Sequence, residues 1–174
     1  ISKSDEVFGK IERMTQPNIP YWQPAKVAPS LLPGEIHLWL AHVDEMGSLS
    51  EQMLPLLNDE EQKRAERYLD RRARLVFSAA RGMLRALLGA YTGCPPREVT
   101  LDTGSQGKPR LAGALAASEI EFNLAHSGWT CLFGFARGNR LGIDLEKIHP
   151  LPEASSLAQR FFHPIEAGYL VGLR

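Results

Sequence analysis

The residues in this chain best suited to metal chemistry are two carboxylates, Asp144 and Glu146, which lie two positions apart in the run Gly142–Glu146. Apolar residues alternate with them, so the pattern predicts a strand with one apolar face and one acidic face. At about 3.3 Å per residue the carboxylates are roughly 6–7 Å apart, and an oxygen of each can reach one hard cation such as Mg²⁺. Phosphate is the natural co-ligand of that cation. The alternative interpretation is an amphipathic strand with a solvated acidic face.

Two other short motifs carry groups that can bind phosphate. In Gly107-Lys108-Pro109 the glycine permits close approach to the backbone and Lys108 supplies a positive charge. In Asn123-Leu124-Ala125-His126-Ser127 the imidazole of His126 lies near the end of a predicted strand. Each motif alone is weak evidence, because a loop lysine is usually solvated and a histidine at a strand end is more often structural.

A basic stripe is predicted on one helix. Arg74, Ser78, Arg81 and Arg85 follow one another at steps of four, three and four, which places three guanidinium groups along one line of the helix surface. Such a stripe is either a solvated face or a surface for a phosphate-rich ligand or an acidic protein.

Helix signals are clearest in the first half of the chain. Asn58 and Asp59 can cap a helix that continues to about Leu69. A longer helix follows, since apolar residues recur at three- and four-residue spacing from Ala73 to Tyr91 and Gly93 ends the pattern. Near the end of the chain, Pro164 is a plausible first residue of a further helix.

Strand signals surround those helices. Alternation predicts a strand from Ile36 to about Val43, and three further runs, the last containing Asp144, are predicted to form an antiparallel meander. The fold class is therefore α/β in content, an α+β arrangement with helices packed against mainly antiparallel sheets. The first two runs of the meander are Ile120–Leu124 and Thr130–Ala136, and the two other predicted strands are Val99–Leu101 and Pro109–Leu111.

Composition excludes several classes of protein. The 174 residues are 44% hydrophobic and carry a formal net charge of zero, which argues for a globular protein and against one that coats nucleic acid. No apolar run approaches the roughly 20 residues that cross a bilayer, so we expect no membrane association and a cytoplasmic location. Cys94 and Cys131 lack metal-type spacing, and Cys131 is expected to be a small core residue.

Taken in order, the motifs resemble those of the 4′-phosphopantetheinyl transferases, specifically the larger, pseudo-duplicated type that activates surfactin synthetase and similar systems. The resemblance covers about Gly34 to Arg174. It implies two similar halves with the active cleft between them: a Pro-rich N-terminal extension at 1–33, the first half at 34–137, and the start of the second half at 138–174, with a metal-binding strand and the following helix. The matching stretches are Gly107-Lys108-Pro109, Phe122–Ser127, Gly142–Glu146, and Arg160-Phe161-Phe162 with Pro164 and Glu166.

The resemblance also implies a reaction and roles for residues. Members of that family move 4′-phosphopantetheine from coenzyme A to a serine of an acyl or peptidyl carrier protein, with Mg²⁺ on the pyrophosphate. Asp144 and Glu146 then correspond to metal ligands in the catalytic site, while Lys108 and His126 contact coenzyme A phosphates. Arg64 matches a basic position that contacts the 3′-phosphate. Ala125 stands where the family commonly has serine, which leaves only a backbone amide for the phosphate.

One family segment, Trp-x-x-Lys-Glu-x-x-x-Lys, would lie beyond Arg174, and it supplies a third metal carboxylate. We therefore expect these 174 residues alone to have little or no transferase activity, the full-length protein to be a monomer, and the fragment to be able to self-associate. The expected carrier protein is acidic. Two other hypotheses remain open: a binding module that holds coenzyme A or a carrier domain without transfer, and a Mg²⁺-dependent phosphohydrolase that uses Asp144 and Glu146.

Overall fold

The computed structural model describes residue 28 and residues 30–103 and 107–172. The predicted extension at 1–33 therefore lies mostly outside the described residues. Five α-helices and five strands are described, with short 3₁₀ turns between some of them. They are β1 (Ile36–His42), α1 (Ser48–Met53), α2 (Asp59–Glu66), α3 (Arg71–Thr92), β2 (Leu101–Thr103), β3 (Pro109–Leu111), β4 (Ile120–Ser127), β5 (Thr130–Arg137), α4 (Ala154–Phe161) and α5 (Pro164–Gly172).

Helix α3 forms the centre of the core, as its periodicity predicts. Asp70 caps its first turn by accepting a hydrogen bond from the Ala73 amide at 2.6 Å, and Gly93 ends it with a φ of 72° that glycine adopts without strain. The apolar face of α3 packs against buried aromatic residues of the sheet. These residues are Trp39, Phe122, Phe133 and Phe135.

The main sheet has the order β1-β5-β4, and both pairings are antiparallel. The predicted pairing of β4 with β5 is confirmed, but the prediction of an Asp144 strand as the third member of the meander is wrong. That place is taken by β1, whose Trp39 lies opposite Phe133. Since β1 and β4 occupy both edges of β5, residues 141–150 have no edge of β5 with which to pair, and they belong to no strand.

Helix α5 begins at Pro164, as predicted from the sequence. The carboxylate of Glu166 accepts a hydrogen bond from the backbone N–H of His163 at 3.1 Å, which satisfies a donor at the start of the helix. Helices α1 and α4 were not predicted, because neither has a long apolar period. The fold class, with helices packed on antiparallel sheet, is confirmed, whereas the division into two similar halves stays a prediction.

Cys131 is a core residue, as expected. It is fully buried in β5, and burial raises the pKa of its thiol to about 12. No helix in the described part of the chain is both long enough and apolar enough to span a bilayer.

Candidate functional site

Asp144 and Glu146 lie on the exposed side of an extended segment that crosses one face of the main sheet. Both residues are exposed, whereas the alternate residues Leu141, Ile143 and Leu145 are partly buried. The predicted alternation of faces is therefore present without a strand ladder. Two carboxylates that share a solvent-facing side can both turn toward one ligand.

Lys108 lies against this acidic segment. Its ammonium group donates a hydrogen bond to the carbonyl oxygen of Leu141 at 2.8 Å, across 33 residues of sequence. Sequence reasoning assigned Lys108 to phosphate and missed this backbone contact. A lysine ammonium has three donors, so two remain for a ligand.

Ser127 is a second residue whose role sequence reasoning missed, although it belongs to the Asn123–Ser127 motif. Its hydroxyl accepts a hydrogen bond from the backbone N–H of Lys147 at 3.0 Å. Lys147 directly follows Glu146, so Ser127 holds the far end of the acidic segment. No local pattern in the sequence signals a contact between residues 20 positions apart.

Ala125 and His126 both lie near the end of β4, but adjacent strand residues point to opposite faces. The register places Ala125 beside Leu132 and His126 beside Cys131 of β5. Ala125 therefore shares the face crossed by the acidic segment, and His126, which is exposed, belongs to the face turned toward α3. The expected contact of Ala125 is through its backbone amide, whereas that of His126 is through its ring, on the face turned toward α3.

Arg64 lies on α2, and its guanidinium group stacks over the ring of Phe77 with 5.0 Å between the guanidinium carbon and the ring centroid. The residue is exposed, so its outer nitrogen atoms are accessible to a ligand. Within the described ranges, no hydrogen bond or ion pair joins Arg64 to the other candidate residues.

The predicted surface stripe on α3 is wrong for two of its arginines. Arg85 is 1% exposed and forms an ion pair with Glu61 of α2, and Arg81 contacts the same carboxylate at 3.3 Å. Helical spacing correctly places these residues on one line, but α2 covers that line. The stripe is therefore largely an internal ion-pair cluster that joins two helices.

The exposed basic surface lies instead on α2 and the first turn of α3. Arg72 extends from α3 to the turn between β4 and β5, where its guanidinium carbon lies 5.1 Å from the centroid of the Trp129 ring. This contact brings the basic surface beside the end of β4 that carries His126. None of the residues of this basic surface forms an ion pair with an acidic residue that the structure describes. The residues of the surface are Lys63, Arg64, Arg67, Arg71, Arg72 and Arg74.

The donor chemistry of the acidic pair fits Mg²⁺. This ion prefers carboxylate and phosphate oxygens and is commonly held by one or two protein carboxylates together with substrate phosphates and water. In the part of the chain that the structure describes, no cluster of three or more acidic, histidine or cysteine side chains could hold a metal ion. Asp144 and Glu146 would therefore need ligand oxygens from a bound phosphate or another source.

Comparisons with known proteins agree with the motifs. Residues 46–135 match a family model described as 4′-phosphopantetheinyl transferase, N-terminal. The chain is similar to 4′-phosphopantetheinyl transferase HetI of Nostoc sp., with 39% identity over 145 residues, or 83% of this chain and 61% of the relative. It is also similar to slr0495 of Synechocystis sp., a protein provisionally named for the same activity, with 36% identity over 136 residues, or 78% of this chain and 54% of the relative. The chain thus spans about half to three fifths of the length of these relatives.

Proposed function

The chain belongs to the 4′-phosphopantetheinyl transferase family, and from that membership we propose that the full-length protein transfers 4′-phosphopantetheine from coenzyme A to a serine of an acyl or peptidyl carrier protein. The observation that carries the proposal is the exposed pair Asp144 and Glu146 beside Lys108, whose ammonium group contacts the same segment. A segment that carries two exposed carboxylates and is contacted by a lysine ammonium suits a pyrophosphate with its metal ion.

In the proposed reaction the serine oxygen attacks the β-phosphorus of coenzyme A and the hydroxyl proton is released to solvent. A new P–O bond forms, and the bond from the β-phosphorus to the bridging oxygen breaks, which releases adenosine 3′,5′-bisphosphate. Asp144 and Glu146 would hold Mg²⁺, which when bound neutralises charge on the pyrophosphate. Lys108 and His126 would contact the phosphates, together with the backbone amide of Ala125. Arg64 would contact the 3′-phosphate from α2.

The basic surface on α2 and α3 suits an acidic carrier protein. Its six cations are exposed, and Arg72 reaches the turn next to His126. Opposite charge on a partner accelerates encounter and fixes its orientation. We therefore assign carrier docking to this surface and not to the stripe that the sequence predicted.

The proposal includes the pseudo-duplicated architecture, with a first half at 34–137 and a second half that begins at 138. It is supported by the N-terminal family match at 46–135 and by the greater length of the relatives. A full-length monomer and a cytoplasmic location are part of the same proposal. The two free cysteines, Cys94 and Cys131, fit a reducing compartment.

The direct test is incubation of the full-length protein with an apo carrier protein, coenzyme A and Mg²⁺, followed by mass spectrometry of the carrier. We expect a mass gain of one phosphopantetheine group, which a carrier with its acceptor serine changed to alanine does not show. Asp144→Asn should abolish most of the gain, whereas Glu60→Gln, an exposed carboxylate on α2, should not.

The same assay separates the alternatives. Binding of coenzyme A without any mass gain would favour a non-catalytic binding module. Hydrolysis of simple phosphate esters without a carrier, lost in Asp144→Asn, would favour a phosphohydrolase. Full transfer by Asp144→Asn would contradict the metal assignment.

A further inference from the structure

The acidic segment 141–147 lacks the usual means of holding a strand in place. None of its residues belongs to either described sheet, and yet Asp144 and Glu146 must keep a fixed orientation if they bind one ion. Its position must therefore come from side chains of other elements. The described residues supply contacts at both ends and in the middle.

The N-terminal end is held by Lys108, which directly precedes β3. Its Nζ–H donates to the carbonyl oxygen of Leu141 at 2.8 Å, and the residue is partly buried. Because the donor is charged, this bond is roughly twice as strong as a neutral one. It fixes the chain three residues before Asp144.

The C-terminal end is held by Ser127, the last residue of β4. Its Oγ accepts the backbone N–H of Lys147 at 3.0 Å, one residue after Glu146. Lys108 and Ser127 thus enclose both carboxylates between two fixed backbone positions.

The middle of the segment packs over Gly134 of β5. A Cβ atom at residue 134 would lie 2.7 Å from Cδ1 of Leu141 and 3.0 Å from Cγ2 of Ile143. The missing side chain therefore makes room for these two residues. Leu141 and Ile143 point toward the sheet, and Asp144 and Glu146, at the alternate positions that follow, are exposed and point away from it.

From these contacts we propose that Ser127 and Lys108 are positioning residues for the Asp144 and Glu146 pair. They act on the two carboxylates through the backbone at Lys147 and Leu141. The proposal rests on the proposed function, in which the pair holds the metal ion, and it gives Lys108 a role beyond contact with coenzyme A phosphates.

The test is titration of the full-length protein with Mn²⁺, followed by electron paramagnetic resonance, with and without coenzyme A. Ser127→Ala should weaken Mn²⁺ affinity about three- to tenfold, the effect of one hydrogen bond, and leave the thermal midpoint unchanged. Ser127→Thr retains a hydroxyl and should restore affinity. The control is Ser156→Ala, which removes an exposed serine hydroxyl of α4 that donates to the carbonyl of Glu153. This variant should not change Mn²⁺ affinity.

Lys108→Met separates its two roles. Loss of a nearby positive charge would by Coulomb's law strengthen binding of a cation. Weaker Mn²⁺ affinity in the absence of coenzyme A is therefore the result expected from positioning. Unchanged or stronger Mn²⁺ affinity, with a loss confined to coenzyme A binding, would overturn this part of the proposal.

Asp144→Asn and Glu146→Gln distinguish failure of the inference from failure of the proposed function. If these variants lose Mn²⁺ affinity while Ser127→Ala does not, the positioning role is wrong and the metal assignment stands. If neither variant changes Mn²⁺ affinity, the metal assignment itself is wrong.

Discussion

Arg85 of α3 and Glu61 of α2 form an ion pair inside the protein, with side chains that are 1% and 13% exposed. Nη1 of Arg85 donates to the carbonyl oxygens of Pro96, Arg97 and Val99 at 2.8, 3.2 and 3.0 Å. The guanidinium group thus joins α2, α3 and the chain that leads into β2. Glu61 also completes the capping box of α2 with Asn58.

We predict that Glu61→Gln destabilises the protein by about 3–5 kcal/mol, because it leaves the buried Arg85 guanidinium without its counter-charge. The measurement is the free energy of unfolding in urea. The matched control is Asp59→Asn, since Asp59 lies on α2 like Glu61 and pairs with Arg97 of the 3₁₀ turn after α3. That pair is 80% and 50% exposed, so its loss should cost at most about 1 kcal/mol. Equal effects of the two variants would show that the Arg85 pair adds no special stability.

Gly82 marks the closest approach of α3 to α1. A Cβ atom there would lie 2.5 Å from both the Cβ and the carbonyl oxygen of Met53. We predict that Gly82→Ala lowers the free energy of unfolding by about 1–3 kcal/mol, because overpacking outweighs the higher helix propensity of alanine. The control is Gly168→Ala on α5, where the added carbon meets no atom within 4 Å and should not lower the thermal midpoint. A stabilised Gly82→Ala would contradict the close contact.

The elements with strong local signals could be predicted from the sequence. Helix α3 has a long apolar period with Asp70 and Gly93 at its ends, so its bounds follow from propensity and capping. Pairing between strands that are distant in the sequence could not be predicted in this way. The partner of β5 on its far side is β1, almost 100 residues earlier, and no local pattern distinguishes it from the nearer acidic segment.

The candidate site was predictable to a similar degree. The shared face of Asp144 and Glu146 follows from residue spacing, and the structure retains it. Whether an arginine line faces solvent depends on its neighbours, and Glu61 on another helix covers Arg81 and Arg85. Periodicity describes one helix at a time and carries no information on what packs against it.

Tyr91 connects α3 to β1 through its hydroxyl. The indole N–H of Trp39 donates to it at 2.9 Å, and Nδ1 of His37 lies 2.8 Å away. Burial raises the pKa of Tyr91, so the group stays protonated and can donate its hydrogen to His37. We predict that Tyr91→Phe costs about 1–3 kcal/mol in urea unfolding, through loss of two hydrogen bonds. Tyr169→Phe, at a position 74% exposed, should change stability by less than about 0.5 kcal/mol.

Asp44 makes stability depend on pH. Its carboxylate accepts hydrogen bonds from the amides of Leu49, Ser48 and Gly47, and these bonds lower its pKa below the usual 3.8. The stabilisation is present above the unfolded-state pKa and is lost as pH falls through the lower folded-state pKa. We predict that the urea midpoint decreases below about pH 4, and that Asp44→Asn reduces the decrease. An identical pH profile in wild type and variant would contradict this assignment.

Arg64 offers a test of the proposed binding of coenzyme A by the full-length protein. If its guanidinium contacts the 3′-phosphate, Arg64→Gln should raise the KM for coenzyme A about tenfold, as expected for loss of a charge-assisted hydrogen bond. The KM for 3′-dephospho-coenzyme A, which lacks that phosphate, should be the same in variant and wild type. Arg67→Gln, an exposed arginine one turn away, controls for general loss of positive charge. An equal rise in KM for both substrates in Arg64→Gln would indicate that Arg64 acts through the overall field of the basic surface and not on the 3′-phosphate.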